Sequence, residues 1–544
     1  MEAAMLRGTG QFDAALGVVE RLRAAGYEAY LAGGCVRDLL LGREPKDFDV
    51  ATSATPEVVL GLFERTFAVG AHFGVVLVAT CGGADAACAG TRGAADAAYA
   101  AGAELAGPGY VVTEVATFRS DGAYSDGRHP DAVRYTRRAE EDVRRRDFTI
   151  NGLLLDPEKL FPQGLKPPSL AGPDVRAEAR TLQSEMLTSV AKAPSAFDGV
   201  DAGTEAPAYR SGLLTDPDLR SAVIDFVGGV EDLDAGVVRA IGRAEERFLE
   251  DHLRLLRGVR FAARFGFELE AGTRAAMQGL AGRIQAVSRE RVRDELTKML
   301  TEGRARRAFE LLEETGLLKE VLPEVARMKG VEQPAQYHPE GDVWVHTLGL
   351  LGQLEAECAA TLAWGALLHD VGKAPTFRRA PDRIRFDGHV EVGVAMGTEI
   401  CRRFRFSNEE TRQIVSLIEN HMRFADAERM KASTLKRFFR LEGFEEHLAL
   451  HRMDCLAGSG SLEHWEFVHE RWLAMPEETV RPRPLITGRE LIAAGYEPGA
   501  AFKEMLRAVE DAQLEGTIGT TDEALRLVRE QFPAPGCYRS GPKQ

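Results

Sequence analysis

Asp47 and Asp49, one residue apart in DFDVAT, are the first residues of this sequence with chemistry in their spacing. The segment alternates as a strand does, and a period of two sends both carboxylates to one face of a sheet, a geometry for gripping Mg²⁺. About a dozen residues upstream, Gly33 and Gly34 make a turn into a helix, where backbone N–H groups approach phosphate with no Cβ in the way. A polyphosphate site beside a metal site is the joint reading. Glu114, in VVTEVATF, is the third acid that would complete a two-metal clamp for in-line phosphoryl or nucleotidyl transfer. Taken alone, the aspartate pair also reads as two solvated acids at a strand edge, because motifs this short match by chance.

The last two hundred or so residues hold a second constellation: VWVHTLGLL, LLHDVGK, DGHVEVG, ENHM and HRMDC. Imidazole and carboxylate suit hard-to-borderline divalent metals, and a helical bundle can aim such side chains from several helices into one core pocket. Adjacent His369 and Asp370 are its hallmark. Any of these histidines singly also reads as a satisfied core residue.

The elements that must position these groups follow from the pattern. An opening helix precedes EAYLAGGCVRDLLLG, read as strand, glycine turn and helix start; DFDVAT and YVVTEVATF read as strands, and FAVGAHFGVVLVAT, 67–80, as a hairpin. Two stretches interrupt this part. In 81–109, 19 of 29 residues are Ala or Gly, too little side chain to bury a core, and 158–222 carries seven prolines. The segments flanking the second stretch, DFTINGLLLD and VIDFVGGVEDL, read as one interrupted hairpin or sheet edge. From about residue 231 helical periodicity dominates, with a break at QPAQYHPEGD, 333–342. The expected fold class is α+β: an N-terminal head with a small mixed β-sheet over 1–230, an all-α neck and body over 231–335, an all-α metal-binding bundle over 336–475, and a helical tail over 476–544.

The chain of 544 residues has 68 Lys and Arg against 83 Asp and Glu, a net charge of −15, with 44% hydrophobic residues. That composition folds. No stretch reaches the roughly eighteen apolar residues of a membrane helix, and the start lacks a signal-peptide core, so the expectation is a soluble, cytoplasmic chain with no membrane partner. Seven scattered cysteines with no Cys-x-x-Cys predict reduced thiols. The acidic balance argues against a polyanionic partner. Residues 239–307 reverse it locally, with 16 Lys and Arg against 10 Asp and Glu.

In order along the chain, AGGCVRDLLLG, DFDVAT, FAVGAHFGVV, TFRSDGAYSDGRHP, RRRDFTING, DFVGGVEDLDAGVVRAIG and FLEDHLRLLRGVRFAARFGF together resemble the class II nucleotidyltransferases, which comprise the tRNA CCA-adding enzymes and bacterial poly(A) polymerases. The resemblance covers roughly residues 25–320, the two insertions apart. It implies that Asp47 and Asp49 hold catalytic Mg²⁺ with Glu114, that Gly33, Gly34, Arg37 and Asp38 hold the incoming triphosphate, and that Arg145, Arg146, Asp147 and Asn151 contact ribose and phosphates. Without its neighbours the arginine run reads as a solvated loop. Asp251 and Arg254, at i and i+3 on one helix face, are an acceptor and a donor suited to a Watson–Crick edge; elsewhere such a pair is an ordinary ion pair. With Arg257, the resemblance makes them a protein template that selects CTP and then ATP for addition to the tRNA 3′ end, the acceptor stem resting on the basic body. Arg119 to Pro130 resembles the flexible loop of CCA- and A-adding enzymes, which CC-adding enzymes lack, and FAVGAHFGVV looks more like the CCA branch than the poly(A) branch.

The second constellation resembles the HD metal-dependent phosphohydrolases. The implied ligands of a divalent metal are His346, His369, Asp370 and Asp454, with His389 and His421 as pocket residues or ligands of a second metal and Lys373 as a phosphate contact. The reading is template-independent addition of CCA, with a phosphohydrolase acting on phosphoester ends. Alternatives are an A-adding enzyme or poly(A) polymerase, or an HD signalling hydrolase whose head is a non-catalytic nucleotide sensor. No protein partner is implied.

Overall fold

The computed structural model describes residues 10–68, 74–81, 110–121, 133–160, 217–336 and 338–533. The chain divides into two compact units after Arg243.

The first unit is built on a seven-stranded sheet. Its strands are β1 (Ala29–Ala32), β2 (Asp49–Thr52), β3 (Thr66–Phe67), β4 (Val75–Cys81), β5 (Tyr110–Thr117), β6 (Leu153–Leu155) and β7 (Val223–Asp225), in the order β3-β4-β5-β2-β1-β6-β7. Every neighbouring pair is antiparallel except β2 and β5, so the sheet is mixed as expected. A parallel pair needs a crossover. Here helix Pro56–Leu62 and the β3–β4 hairpin supply it. Helix Gly10–Ala24 lays Phe12, Leu16, Val19 and Leu22 across β1, β2 and β5.

Register decides which side chains meet. Val50 pairs with Val115 and both are buried, so Asp49 and Glu114, one residue earlier on each strand, face the other side of the sheet together. The interrupted hairpin is present: Leu153 pairs with Asp225 and Leu155 with Val223, which makes β7 a sheet edge. Helices Pro157–Leu160 and Pro217–Ala222 pack together beyond it. Residues 82–109 and 161–216, the bulk of the two expected insertions, lie outside the described residues, as does most of the loop expected over 119–130. The stems of that loop, Arg119–Asp121 and Val133–Tyr135, pair antiparallel.

The second unit is helical. Helix Arg254–Phe265 packs between Arg289–Thr301 and Ala305–Glu314 through Leu255, Leu256 and Val259, all fully buried. Its Arg260 makes a buried ion pair with Glu295 at 2.7 Å. The bundle that follows is keyed to this layer by Trp364, whose indole N–H donates to Thr297 Oγ1 at 2.9 Å. The same ring lies 5.7 and 5.2 Å from Phe404 and Phe406. A separate core of Ile486, Leu491, Met505, Val509 and Val528 closes the tail, which Arg437 and Arg440 join to helix Ala432–Phe439 through Glu510. Among the described residues no helix is long and apolar enough to cross a membrane, and Cys35, Cys358, Cys401 and Cys455 are free thiols.

Candidate functional site

At the end of β1 the chain turns through Gly33, whose φ is +72° and whose N–H donates to Leu153 O at 2.9 Å. The backbone angle favours glycine, and a Cβ there would stand 3.1 Å from Arg146 Nη1 and push that guanidinium aside. Helix Gly34–Leu40 follows and carries Arg37 and Asp38 inward.

Asp47 is not in the strand: β2 begins at Asp49, opposite Ala32. Beyond Ala32 the partner strand has turned away through Gly33, leaving Asp47 no ladder to join. The alternation persists without it. Phe48 is buried with its ring 5.3 Å from Phe12, while Asp47 is exposed and Asp49 partly buried. Burial, with Glu114 and Asp47 next in importance, pushes the Asp49 carboxyl up to about 7, against the pull of Arg146. A carboxyl whose ionisation is opposed first by burial and then by two neighbouring acids suits a divalent cation, whose charge reverses that penalty.

The arginine segment is held to the glycine turn by a polar network. Arg37 Nη1 donates to Asn151 Oδ1 at 2.5 Å, and Asn151 Nδ2 donates to Asp147 Oδ1 at 3.1 Å. Arg37 Nη2 also pairs with Asp38 at 2.7 Å. Arg145 and Arg146 share one carboxylate, Asp142, at 2.6 and 3.0 Å. Asp142 lies in a short helix, Ala139–Arg144, three and four residues before two arginines that follow the helix end, and that spacing is the sequence signal for its role. Burial opposes its charge, yet the two guanidiniums outweigh that and hold its carboxyl below the usual range.

In the helical unit, Asp251 and Arg254 do not share a helix face. The helix starts at Arg254, and Asp251 makes the turn before it: Oδ1 accepts Leu253 N–H and its carbonyl accepts Arg254 N–H, both at 3.0 Å. A carboxylate so placed satisfies the free N–H groups of a helix start. Asp251 Oδ2 pairs with Arg291 at 3.0 Å, and Arg254 with Glu250 at 2.5 Å. Arg257 stands 5.2 Å over the Phe261 ring. Much of the local basic excess is paired too, as Arg264 with Glu302 and Arg307 with Glu268 and Glu314 illustrate.

The second site gathers its residues from across the bundle. His346 comes from helix Val343–Leu351, His369 and Asp370 from the end of Ala360–Leu368, Lys373 from the next turn, His389 from the start of His389–Arg403, His421 from the end of Asn408–Asn420 and Asp454 from Phe444–Ala457. His369, His389 and His421 each place Nδ1 within 3.0 Å of the carbonyl three residues earlier, on Ala366, Phe386 and Ile418. That bond puts the proton on Nδ1 and leaves Nε2 as a lone pair. All three Nε2 atoms and Asp370 Oδ1 are buried with no hydrogen-bond partner. Unsatisfied acceptors facing one another fit a divalent cation. Among the described residues three sets converge within 4.8 Å, His338-Glu340-His346, His346-His369-Asp370 and Asp370-His389-His421, with Asp370 common to the last two.

His346 differs from the others. Its Nε2 lies 2.9 Å from Asp454 and its Nδ1 2.7 Å from Glu340, and Glu340 also holds His338 at 2.9 Å. Burial works against its charge, yet the Asp454 and Glu340 hydrogen bonds outweigh it and bring the imidazole up to about 9. Glu340 and His338 carry no signal in the sequence, where their segment reads only as a break between helices. Lys373 Nζ is 2.7 Å from both Asp370 Oδ2 and Gln333 Oε1. Burial opposes the charge of Asp370, but the Lys373 ammonium beside it outweighs that and holds its carboxyl well below the usual range. Gly372 lets helix His389–Arg403 close on this turn, since a Cβ there would stand 2.0 Å from His389 O.

Comparison with known proteins matches three family models: the Poly A polymerase head domain at 29–162, the probable RNA and SrmB-binding site of polymerase A at 266–329, and the HD domain at 343–454. A CCA-adding enzyme of Geobacillus thermodenitrificans is 33% identical over 306 residues, 56% of this chain and 54% of that one, so the chain spans about half the length of the first relatives it matches. A CC-adding tRNA nucleotidyltransferase of Thermus thermophilus is 37% identical over 319 residues, 56% of this chain and 71% of that one. The crystal structure of the Bacillus stearothermophilus CCA-adding enzyme with CTP shares the fold, with a TM-score of 0.61 and 24% identity over 96% of this chain and 98% of that one. With matches to the polymerase head domain, the probable RNA and SrmB-binding site and the HD domain in that order, the chain belongs to the class II tRNA nucleotidyltransferase family.

Proposed function

We propose that the head adds CMP, CMP and AMP, taken from CTP and ATP, to the 3′ end of tRNA, and that the HD domain hydrolyses phosphoesters at damaged RNA ends. The observation that carries the first half is Asp49 beside Glu114 and Asp47, with a glycine turn and a clamped arginine segment adjoining. Asp47, Asp49 and Glu114 would hold Mg²⁺, which when bound supplies Lewis acidity at the α-phosphate and eases deprotonation of the attacking hydroxyl. The chain's own part is to position. Arg146 reaches the turn at Gly33, and Arg37 and Asp147, joined through Asn151, keep the turn and the arginine segment as one surface for triphosphate and ribose. Asp251, Arg254 and Arg257 are the nucleotide-selecting residues in this reading. The arginines of the body that are paired only at the surface give up such partners readily to an acceptor stem.

The test is incorporation into tRNA lacking CCA, with CTP alone, ATP alone and both. CMP twice followed by AMP is the expected result. AMP alone identifies an A-adding enzyme or poly(A) polymerase, and CMP alone a CC-adding enzyme, the activity named for the Thermus relative. No incorporation leaves the head a nucleotide sensor attached to an HD hydrolase.

The second half is favoured by the four unpartnered ligand atoms around Asp370. A bound divalent metal would activate water for attack on a phosphoester. His369, His389 and His421 present their lone pairs, and Lys373 stands beside Asp370 to meet a phosphate oxygen. The two halves suit one substrate, because a blocked 3′ end must be opened before it is extended. Full repair of a tRNA ending in a 2′,3′-cyclic phosphate by an Asp370→Asn variant would defeat this half.

A further inference from the structure

Between Lys373 and His389, both in the HD pocket, the chain makes a short excursion, FRRAPDRIRF, with four arginines against one aspartate in a protein of net charge −15. Arg378–Arg379 pairs antiparallel with Ile384–Arg385, so this is a hairpin joined to Lys373 and His389 by a few residues on either side. It is tied to the pocket as well. The Phe386 ring lies 5.6 Å from Lys373 Nζ, the Phe386 carbonyl is within 3.0 Å of His389 Nδ1, and Arg379 pairs with Glu332, next to the Gln333 that holds Lys373.

The guanidiniums of Arg378, Arg379 and Arg383 point to solvent, and Arg385 is half-buried. Arg378, Arg379 and Arg383 are exposed, as are their partners Asp387, Glu332 and Asp382, and Arg385 shares Asp382. Pairs of that kind contribute little and yield to a phosphate. Two aromatic rings stand among them: Phe377, an exposed phenylalanine, and Phe386 lie 6.0 Å apart. Arginines interleaved with accessible rings are the equipment for a single strand of nucleic acid, whose backbone pairs with guanidinium and whose unstacked bases rest on aromatic faces. Folding explains the core side of Phe386 but gives no reason for four arginines on a loop of this size.

We propose that hairpin 377–386 is a single-stranded RNA grip on the rim of the HD pocket, which holds the nucleotides preceding the terminal phosphoester. This rests on the reading of the pocket as a phosphohydrolase of RNA ends, and it adds the feature that makes an oligonucleotide a better substrate than a mononucleotide.

The test uses the full chain and a variant carrying Arg378→Gln, Arg379→Gln, Arg383→Gln and Arg385→Gln, with its thermal melt as the control for folding. In Mn²⁺, kcat/KM is measured for a pentanucleotide ending in a 2′,3′-cyclic phosphate and for a nucleoside 2′,3′-cyclic phosphate. The ratio of the two should fall by at least about tenfold in the variant, through KM. The salt dependence of log KM for the pentanucleotide should flatten by about 0.7 for each phosphate that the variant no longer neutralises. An unchanged ratio in a folded variant overturns the grip. Should the native protein hydrolyse neither substrate, the phosphohydrolase reading fails, and the hairpin is judged by crosslinking alone. A 4-thiouridine pentanucleotide that crosslinks to residues 377–386 in the native chain upholds the grip, and crosslinks that bypass them overturn it.

Discussion

Arg37 Nη1 meets Asn151 Oδ1 at 2.5 Å across 114 residues of sequence, and Asn151 in turn meets Asp147. The helix after the glycine turn and the arginine segment are thereby fastened to each other at the level of β6 rather than at the surface. Asn151→Ala would leave a buried guanidinium and a buried carboxylate each short of a partner. The expected cost is about 1–3 kcal/mol, seen as a lower urea midpoint. KM for nucleotide should rise more than kcat falls, because the surface loosens while the carboxylates stay in place.

Asp49→Asn keeps the shape of the side chain and removes its charge between Asp47 and Glu114. Removing one such electrostatic interaction lowers nucleotidyl transfer by about 10² to 10³-fold. The same change relieves repulsion among the acids, so the metal-free variant should melt no lower than the native chain, as differential scanning calorimetry in EDTA can check. A variant that is both inactive and strongly destabilised would assign Asp49 to the core instead.

Gly372→Ala tests how the second site is closed. Its methyl group would stand 2.0 Å from His389 O and 2.6 Å from Gly393 N, both backbone atoms that cannot swing aside. Helix His389–Arg403 must then shift, at a cost of about 1–3 kcal/mol by the measure of overpacked cores. Calorimetric Mn²⁺ affinity should weaken with it, since His389 travels with the helix.

The unpartnered acceptors around Asp370 predict stabilisation by metal. Melts in EDTA and in a series of divalent ions should rise with the ion that fits, by about 2.7 kcal/mol at a hundred times its dissociation constant. Asp370→Asn should remove most of that rise, because Asp370 belongs to two of the three converging sets.

His447 sets a pH dependence outside the metal site. Burial first, and Arg423 second, bring its imidazole down to about 4. A histidine depressed in the folded state stays neutral while its unfolded counterpart takes up a proton from about pH 6.5 downward, so stability falls on acidification between pH 6.5 and 4. At about 1.4 kcal/mol per pH unit the ceiling is about 3 kcal/mol. His447→Gln should flatten that part of the urea-midpoint profile against pH.

What the sequence disclosed and what it hid divide by the range of the interaction. Strand alternation, the glycine turn and the interrupted β6–β7 hairpin were legible, because each is written in neighbouring residues or in matching patterns on both sides of a gap. The acids of the head and the histidines of the bundle were recognised from their order along the chain. The edges of elements were less visible. Whether Asp47 joins β2 depends on where β1 ends, and whether Asp251 joins the following helix depends on its own hydrogen bond to Leu253. Asp142 and Glu340, which orient Arg145, Arg146 and His346, were hidden because an acid that serves another side chain looks like any surface acid until the fold supplies its partner.

Three histidines of the bundle take their orientation from a carbonyl three residues back along the same chain, on Ala366, Phe386 and Ile418. Each ring is thus set by its own stretch of main chain, which no side-chain substitution deletes. Drift in the surrounding sequence can alter charge, size and polarity at many positions while the lone pairs keep their aim, provided the helix ends stay where they are. The rim of the pocket can therefore change while the inward-facing lone pairs hold their aim, and its exposed hairpin is where such change meets least resistance.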